Sequence, residues 1–377
     1  MRSGEVSCHQ IPKVLKNLGT YFAAELPKDR HVITANEGAA VGMVIGHHLR
    51  TGEIATVYMQ NSGIGNAIKP LLSLADPDVY SIPMVLIVGW RGRPGENDEP
   101  QHLKQGRVTE SLLSAMELPY FTLPRDVQGG CAVVQHAVDI AKARQGPVVV
   151  LVEKDTFDHP RIDAPFTALV PDLPSREEAL HAVVDAVGRG AAIVAATGML
   201  SRELFEYRAV NSVVDALDFL TVGGMGHASS IALGVALRQP GHDVWCLDGD
   251  GALLMHAGTL AVAGQLALHS FFHVVFNNGV HDSMGGQATA IGNVDVAALA
   301  LAAGYRNALS IQGLGEIAPA VEDVRSSLGP ALIEVMVRPG ARPDLSRPLT
   351  TPVQNKGHFM ANVNRAAARS TQNWGPL

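Results

Sequence analysis

The sequence predicts an α/β protein of two domains, each a doubly wound parallel sheet with helices on both faces. Three observations predict it. Short runs rich in Val, Ile and Leu recur along the chain, continuously apolar as strands buried on both faces are. Most end at Gly, Asn or Asp and lead into Ala/Gly-rich stretches of helical pattern. One segment, Asp155 to Ser175, breaks that rhythm with Pro160, Pro165, Pro171 and Pro174, and reads as an interdomain linker. At 377 residues the chain is too long for one ordinary core and suits two. The expected organisation is a first domain over 1–158, a linker over 159–175, a second domain over 176–355 and a tail over 356–377.

The elements follow in order. HVITANEG (31–38) opens into the helical pattern GAAVGMVIGHHLRTG, and MVLIVGW (84–90) and PVVVLVE (147–153) complete the strands expected in the first half. After the linker come AAIVAATG (191–198), DVWCLDGDG (243–251), FFHVVFNNG (271–279) and ALIEVMV (331–337). The Asn/Ala/Gln-rich tail is expected to form a helix lying over another surface.

Composition narrows the function. No apolar run approaches the length of a membrane span, and the N-terminus lacks the apolar middle of a signal peptide. The net charge of −7 comes with no basic block, which argues against nucleic acid as a partner. Cys8, Cys131 and Cys246 are far apart and show no metal spacing, as expected of reduced thiols in a cytoplasmic protein.

The stretch from Asp248 to Gly279 carries the chemistry. In open parallel sheets ligands sit at the carboxyl ends of strands. Asp250 lies just past DVWCLD and Asn277 at the end of the next strand, with room between them for one helix and one strand, so both converge on one point. Gly249 and Gly251 let backbone approach a ligand closely. A carboxylate and an amide oxygen are hard ligands suited to Mg²⁺, which completes its shell with phosphates and water. The helix starting at Ala252 offers its first N–H groups to an anion. The stretch therefore reads as a site for Mg²⁺ and a diphosphate; the plainer alternative is a βαβ unit with a Gly-rich turn.

GDG followed at this spacing by NNG resembles the signature of thiamine diphosphate enzymes. That resemblance implies Asp250, Asn277 and the main-chain oxygen of Gly279 as metal ligands. It also implies a glutamate at the cofactor's pyrimidine ring from a separate α/β domain, and Glu37 of TANEG is the residue that aligns. Taken alone, Glu37 is equally a helix-start acid complementing the dipole. In TVGGMGHASSIALGVAL (221–237), Met225 aligns with the large residue that bends the cofactor and Gly223 with the carbonyl that meets the aminopyrimidine; core packing is the other reading of Met225.

Segments 60–102, 248–258, 277–289 and 347–360 are similar to the phosphonopyruvate decarboxylase family, and the related sulfopyruvate decarboxylases share the two-domain plan. The resemblance implies two thiamine diphosphate-binding domains, pyrimidine and diphosphate, with no middle domain. It implies decarboxylation of 3-phosphonopyruvate to phosphonoacetaldehyde and CO₂ in phosphonate biosynthesis, with sulfopyruvate decarboxylation and acetolactate synthase-like carboligation as rivals. It further implies a homodimer or tetramer with sites between subunits. For the small anionic 2-oxo acid, candidate contacts are Asn61, Ser62 and Asn66 in the QNSGIGN turn, Arg91 and Arg93 after MVLIVGW, and His102, with Lys69 and Lys104 as further cations. Both arginines have the alternative of pairing with Glu96, Asp98 and Glu99. His281, beside Asp282, is either a proton donor or a structural loop residue; His227 and His256 are weaker candidates.

Overall fold

The computed structural model describes residues 6–8, 14–158, 172–213, 215–239, 241–282 and 286–372. The chain divides into two compact units, Met1–Thr167 with His281–Ala290, and Ala168–Val280 with Ile291–Leu377. Most of the expected linker, 159–171, lies outside the described residues. Its last residues belong to the second unit's hydrogen bonding, since Arg338 N donates to Pro174 O and Ser175 bridges Arg338.

The first unit is built on a sheet of β1 (Val6–Cys8), β2 (His31–Ile33), β3 (Ala55–Gln60), β4 (Met84–Gly89), β5 (Tyr120–Thr122) and β6 (Pro147–Val152). Every pairing in it is parallel, in the order β2-β1-β3-β4-β6-β5. β4 and β6 are buried along their whole length. That burial explains their unbroken Val/Ile/Leu composition.

The second unit holds β7 (Ala192–Ala195), β8 (Asp218–Leu220), β9 (Val244–Gly249) and β10 (Phe271–Asn277). A two-stranded ribbon, β11 (Val280–His281) with β12 (Gln287–Ala288), follows β10. β13 (Asn307–Ile311) and β14 (Ala331–Met336) complete the second sheet, in the order β8-β7-β9-β10-β14-β13. All its pairings are parallel as well. Trp245 and Phe272, cross-strand neighbours on β9 and β10, stack at 4.6 Å in its core. Counted from its own first strand, each sheet reads 2-1-3-4-6-5, so the two units share one topology.

The apolar runs mark seven of these strands. They miss the short strands β1, β5 and β8, the more polar β13, and β3, where Thr56, Tyr58 and Gln60 interrupt the aliphatic residues.

The tail forms a helix, Pro352–Gln372, and covers the β8 edge of its own unit's sheet. Leu220 N donates to Asn355 Oδ1 (3.1 Å) and Asn355 Nδ2 donates to Asp218 O (3.3 Å), so one side-chain amide takes the place of a neighbouring strand. Asn362 Nδ2 continues this with Ala216 O (2.8 Å), and Phe359 packs on Phe219. Covering an edge in this way satisfies polar groups that would otherwise invite another chain. It also fixes the strand that delivers residues 221–226. Among the described residues, no helix is long and apolar enough to cross a membrane.

Candidate active site

In the second unit the strand register does the positioning. Phe276 pairs with Gly249, so the residues that follow, Asn277 and Asp250, leave adjacent parallel strands at the same height. Both are buried. Gly249 N donates to Asp248 Oδ1 (3.0 Å), which shapes the turn ahead of Asp250. The helix that follows is shorter than its apolar pattern suggests: Asp250–Met255 breaks at His256 and a second helix runs Gly258–Leu266. Gly251 and Ala252 are buried in its first turn.

Asn277 is oriented by a carboxylate. Its Nδ2 donates to Glu334 Oε1 (2.7 Å), and Ser310 Oγ donates to Glu334 Oε2 (2.7 Å). An amide held by its nitrogen must present its oxygen elsewhere, and here Oδ1 accepts from Gly279 N (3.0 Å). Gly279 has φ of +69°, which suits glycine at this turn. Asp250 and Asn277 each bring a hard oxygen to these adjacent strand ends, a donor chemistry that fits Mg²⁺.

The loop after β8 reaches the same place. Gly224 and Gly226 have φ of +66° and +82°. A Cβ on Gly226 would lie 2.6 Å from His256 Cδ2 and 3.0 Å from Ala252 O, so only glycine lets this loop close on the Asp250 helix. The loop that carries Gly223 and Met225 therefore packs on this helix through Gly226, with Met225 half-buried in the loop rather than in the core. The His227 ring meets the carbonyls of Gly224 (3.1 Å) and Met225 (3.2 Å) through Nδ1 and packs on His256 at 4.4 Å. Both histidines thus shape the loop.

In the first unit Glu37 opens the helix Glu37–Thr51. Asn36 caps that helix by accepting from Ala39 N (2.8 Å). Glu37 is buried, and its Oε2 accepts from Asn66 Nδ2 (2.8 Å). Asn66, expected to donate to substrate, gives one of its two N–H groups to Glu37. Asn61, expected to do the same, is corrected. Its Nδ2 donates to Arg91 O (2.9 Å) and Thr109 Oγ1 (3.0 Å), and its Oδ1 accepts from Arg91 N (3.2 Å), so the amide is spent tying two loops together. Ser62 differs. Its Oγ accepts from Gln60 Nε2 (2.6 Å), which leaves its own proton to donate.

Arg91 grips Asp98 with two nitrogens, Nε at 2.7 Å and an Nη nitrogen. Burial, the largest single effect, would raise the Asp98 carboxyl. The Arg91 hydrogen bond, the Glu99 N–H and the Arg91 charge together outweigh it, and the pKa falls to about 2. Arg93 pairs with Glu153 (2.8 Å) and Glu96 (3.7 Å) and lies over Trp90. The pairing reading thus holds for both arginines, with Glu153 an unforeseen partner. Burial, then the Arg91 charge, lower the His102 pKa, which disfavours a positive charge on its ring. Lys69 and Lys104 are exposed. His281 is buried on β11 and accepts from Gly286 N (3.0 Å) through its carbonyl.

Comparison with known proteins shows the family. The N-terminal TPP-binding domain of thiamine pyrophosphate enzymes matches residues 12–113, and the C-terminal TPP-binding domain matches residues 196–335. A phosphonopyruvate decarboxylase of Streptomyces viridochromogenes is 36% identical over 358 residues, covering 91% of this chain and 87% of its own. One from Streptomyces hygroscopicus is 36% identical over 338 residues, covering 86% and 82%. A sulfopyruvate decarboxylase of Methanosarcina acetivorans is 25% identical over 365 residues, covering 88% and 91%. The chain belongs to the thiamine pyrophosphate enzymes, and within them to the phosphonopyruvate decarboxylase family.

Glu334 escaped the sequence reading, although a lone carboxylate inside the apolar run ALIEVMV was a signal. Replacing it by Ala should free the Asn277 amide to turn and weaken Mg²⁺ binding about 10- to 100-fold, read by Mg²⁺ titration of thiamine diphosphate binding. Unchanged Mg²⁺ dependence would remove Glu334 from that role.

Proposed function

We propose that this protein decarboxylates 3-phosphonopyruvate to phosphonoacetaldehyde and CO₂, using thiamine diphosphate and Mg²⁺, as a step of phosphonate biosynthesis. The observation that carries the reading is the oriented pair Asp250 and Asn277 at adjacent strand ends, in a chain that matches phosphonopyruvate decarboxylases over most of its length. Asp250, Asn277 and the Gly279 carbonyl would hold the metal, and Gly249, Gly251 and Ala252 would let the diphosphate approach backbone. Gly223 would offer its carbonyl to the aminopyrimidine, and Met225 would pack against the rings. Glu37 would hold and pass the proton at the pyrimidine nitrogen. Bound thiamine diphosphate would supply the electron sink for the pair released as CO₂ leaves. His281, buried on the ribbon, would return a proton to the product carbon.

For the substrate anion we assign Ser62, through its remaining proton, and Arg91. The guanidinium fork of Arg91 gives two nitrogens to Asp98 and keeps a third for another oxygen. Arg93 and His102 would line the approach, Arg93 through charge already shared with Glu153.

The assembly we propose is at least a homodimer, with Glu37 serving a site shared with a second copy. The helix Glu37–Thr51 supports it, because Ala39, Gly42, Met43 and Gly46 leave one uncharged exposed face along it.

Steady-state decarboxylation should prefer phosphonopyruvate over sulfopyruvate and need both thiamine diphosphate and Mg²⁺. A preference for sulfopyruvate would keep the cofactor chemistry and overturn the substrate. Glu37→Gln and Asp250→Ala should each be inactive alone. Mixed and re-equilibrated, they should recover about a quarter of wild-type activity through heterodimers holding one intact site, by random pairing of symmetric dimers. No recovery would contradict the shared site.

A further inference from the structure

Gly63 has an ordinary helical backbone, with φ of −76° and ψ of −15°. Nothing in its conformation calls for glycine. The space above it does. A Cβ at this position would lie 2.3 Å from Glu37 Oε1 and 2.6 Å from Glu37 Cδ. The carboxylate of Glu37 therefore rests in the volume that any other side chain at 63 would fill. On its other side, Asn66 Nδ2 donates to Oε2 at 2.8 Å. Among the described residues, that is the hydrogen bond the Glu37 carboxylate receives. The same turn is locked to the Glu37 helix by backbone, since a Cβ on Gly38 would lie 2.9 Å from Asn66 O.

A carboxylate at the end of a glutamate side chain has three torsions and two equivalent oxygens, and neither burial nor the helix start fixes its plane. A proton relay through one oxygen requires that plane to be fixed, because a displacement near 1 Å can cost about 100-fold in rate. The turn 61–66 supplies both constraints. Asn66 holds Oε2 by hydrogen bond, and the bare backbone of Gly63 receives Oε1 by shape.

We propose that Asn66 and Gly63 are positioning residues for Glu37, leaving Oε1 as the oxygen that exchanges a proton with the pyrimidine ring of thiamine diphosphate. This inference rests on the proposed role of Glu37. It gives the QNSGIGN turn a task distinct from substrate binding: Asn66 acts on the cofactor through Glu37, while the Ser62 hydroxyl, which accepts from Gln60, keeps its own proton to donate.

The test uses the holoenzyme with Mg²⁺ and reads three quantities: thiamine diphosphate affinity, the near-ultraviolet circular dichroism of the imino tautomer, and the exchange rate of the cofactor C2 proton in deuterated water. Asn66→Ala should bind the cofactor within about threefold of wild type, lose the imino signal, and slow C2 exchange about 100-fold or more. Asn66→Gln, which keeps the donor, should recover at least about tenfold of that loss. Gly63→Ala provides an independent arm. Its backbone suits alanine and the clashing atoms are the mobile end of a side chain, so the protein should fold while the carboxylate is displaced, again slowing exchange about 100-fold. Wild-type exchange rates in both Asn66→Ala and Gly63→Ala would overturn the proposal, as would loss of cofactor binding with no change in the exchange rate at saturation. If wild-type protein binds no thiamine diphosphate, or if Glu37→Gln exchanges as fast as wild type, the reading of Glu37 itself fails instead.

Discussion

The parallel pairing of β9 with β10 is the constraint on which the second unit's site depends. Parallel strands bring their carboxyl ends to the same side of a sheet, and a register of Gly249 against Phe276 brings Asp250 and Asn277 out together. A slip of one residue would turn every side chain of the strand to the opposite face. The strands are pinned against such slips by continuous burial, with Trp245 stacked on Phe272 and Phe271 fully enclosed. The pair is thus fixed by the hydrophobic core beneath it. The surrounding polar groups refine it: Glu334 settles which end of the Asn277 amide is offered, and the close packing of Gly226 on the Asp250 helix brings in the loop that carries Gly223 and Met225.

The shared strand order gives the two units a common logic. Glu37 follows the second strand of the first sheet, and the Gly223–Met225 loop follows the second strand of the other. Asn61 follows the third strand in its unit as Asp250 does in the other, and Arg91 follows the fourth nearly as Asn277 ends it. One topology has therefore been used twice, with the residues proposed for chemistry at equivalent strand ends: Asp250 and Asn277 in one unit, Glu37 and the residues that support it in the other. Ligand sites at strand carboxyl ends are the general expectation for such sheets.

Much of this was legible in the sequence because it rests on local pattern. Continuous apolar runs marked the buried central strands, and GDG with NNG at one βαβ spacing marked two residues that leave adjacent strands together. The partners of individual amides were not legible. Asn61 and Asn66 look alike in a Gly-rich turn, yet Asn61 is claimed by Arg91 and Thr109, 30 and 48 residues away, and Asn66 by Glu37, 29 residues back. Only folding reveals such pairs. Gly63 is a subtler case. Glycine in a turn suggests backbone freedom, and its negative φ shows that it is there for space. Short edge strands such as β5 and β8 carry too few residues to show a period, and the amides that complete β8 lie more than 130 residues further on.

Calorimetric titration of thiamine diphosphate, with and without Mg²⁺, into wild-type, Asp250→Ala and Asn277→Ala proteins addresses the central claim most directly. The account predicts Mg²⁺-dependent binding by the wild type, and loss of more than about 100-fold in affinity in either variant with the metal dependence abolished. Binding by Asp250→Ala as tight and as Mg²⁺-dependent as that of the wild type would contradict it.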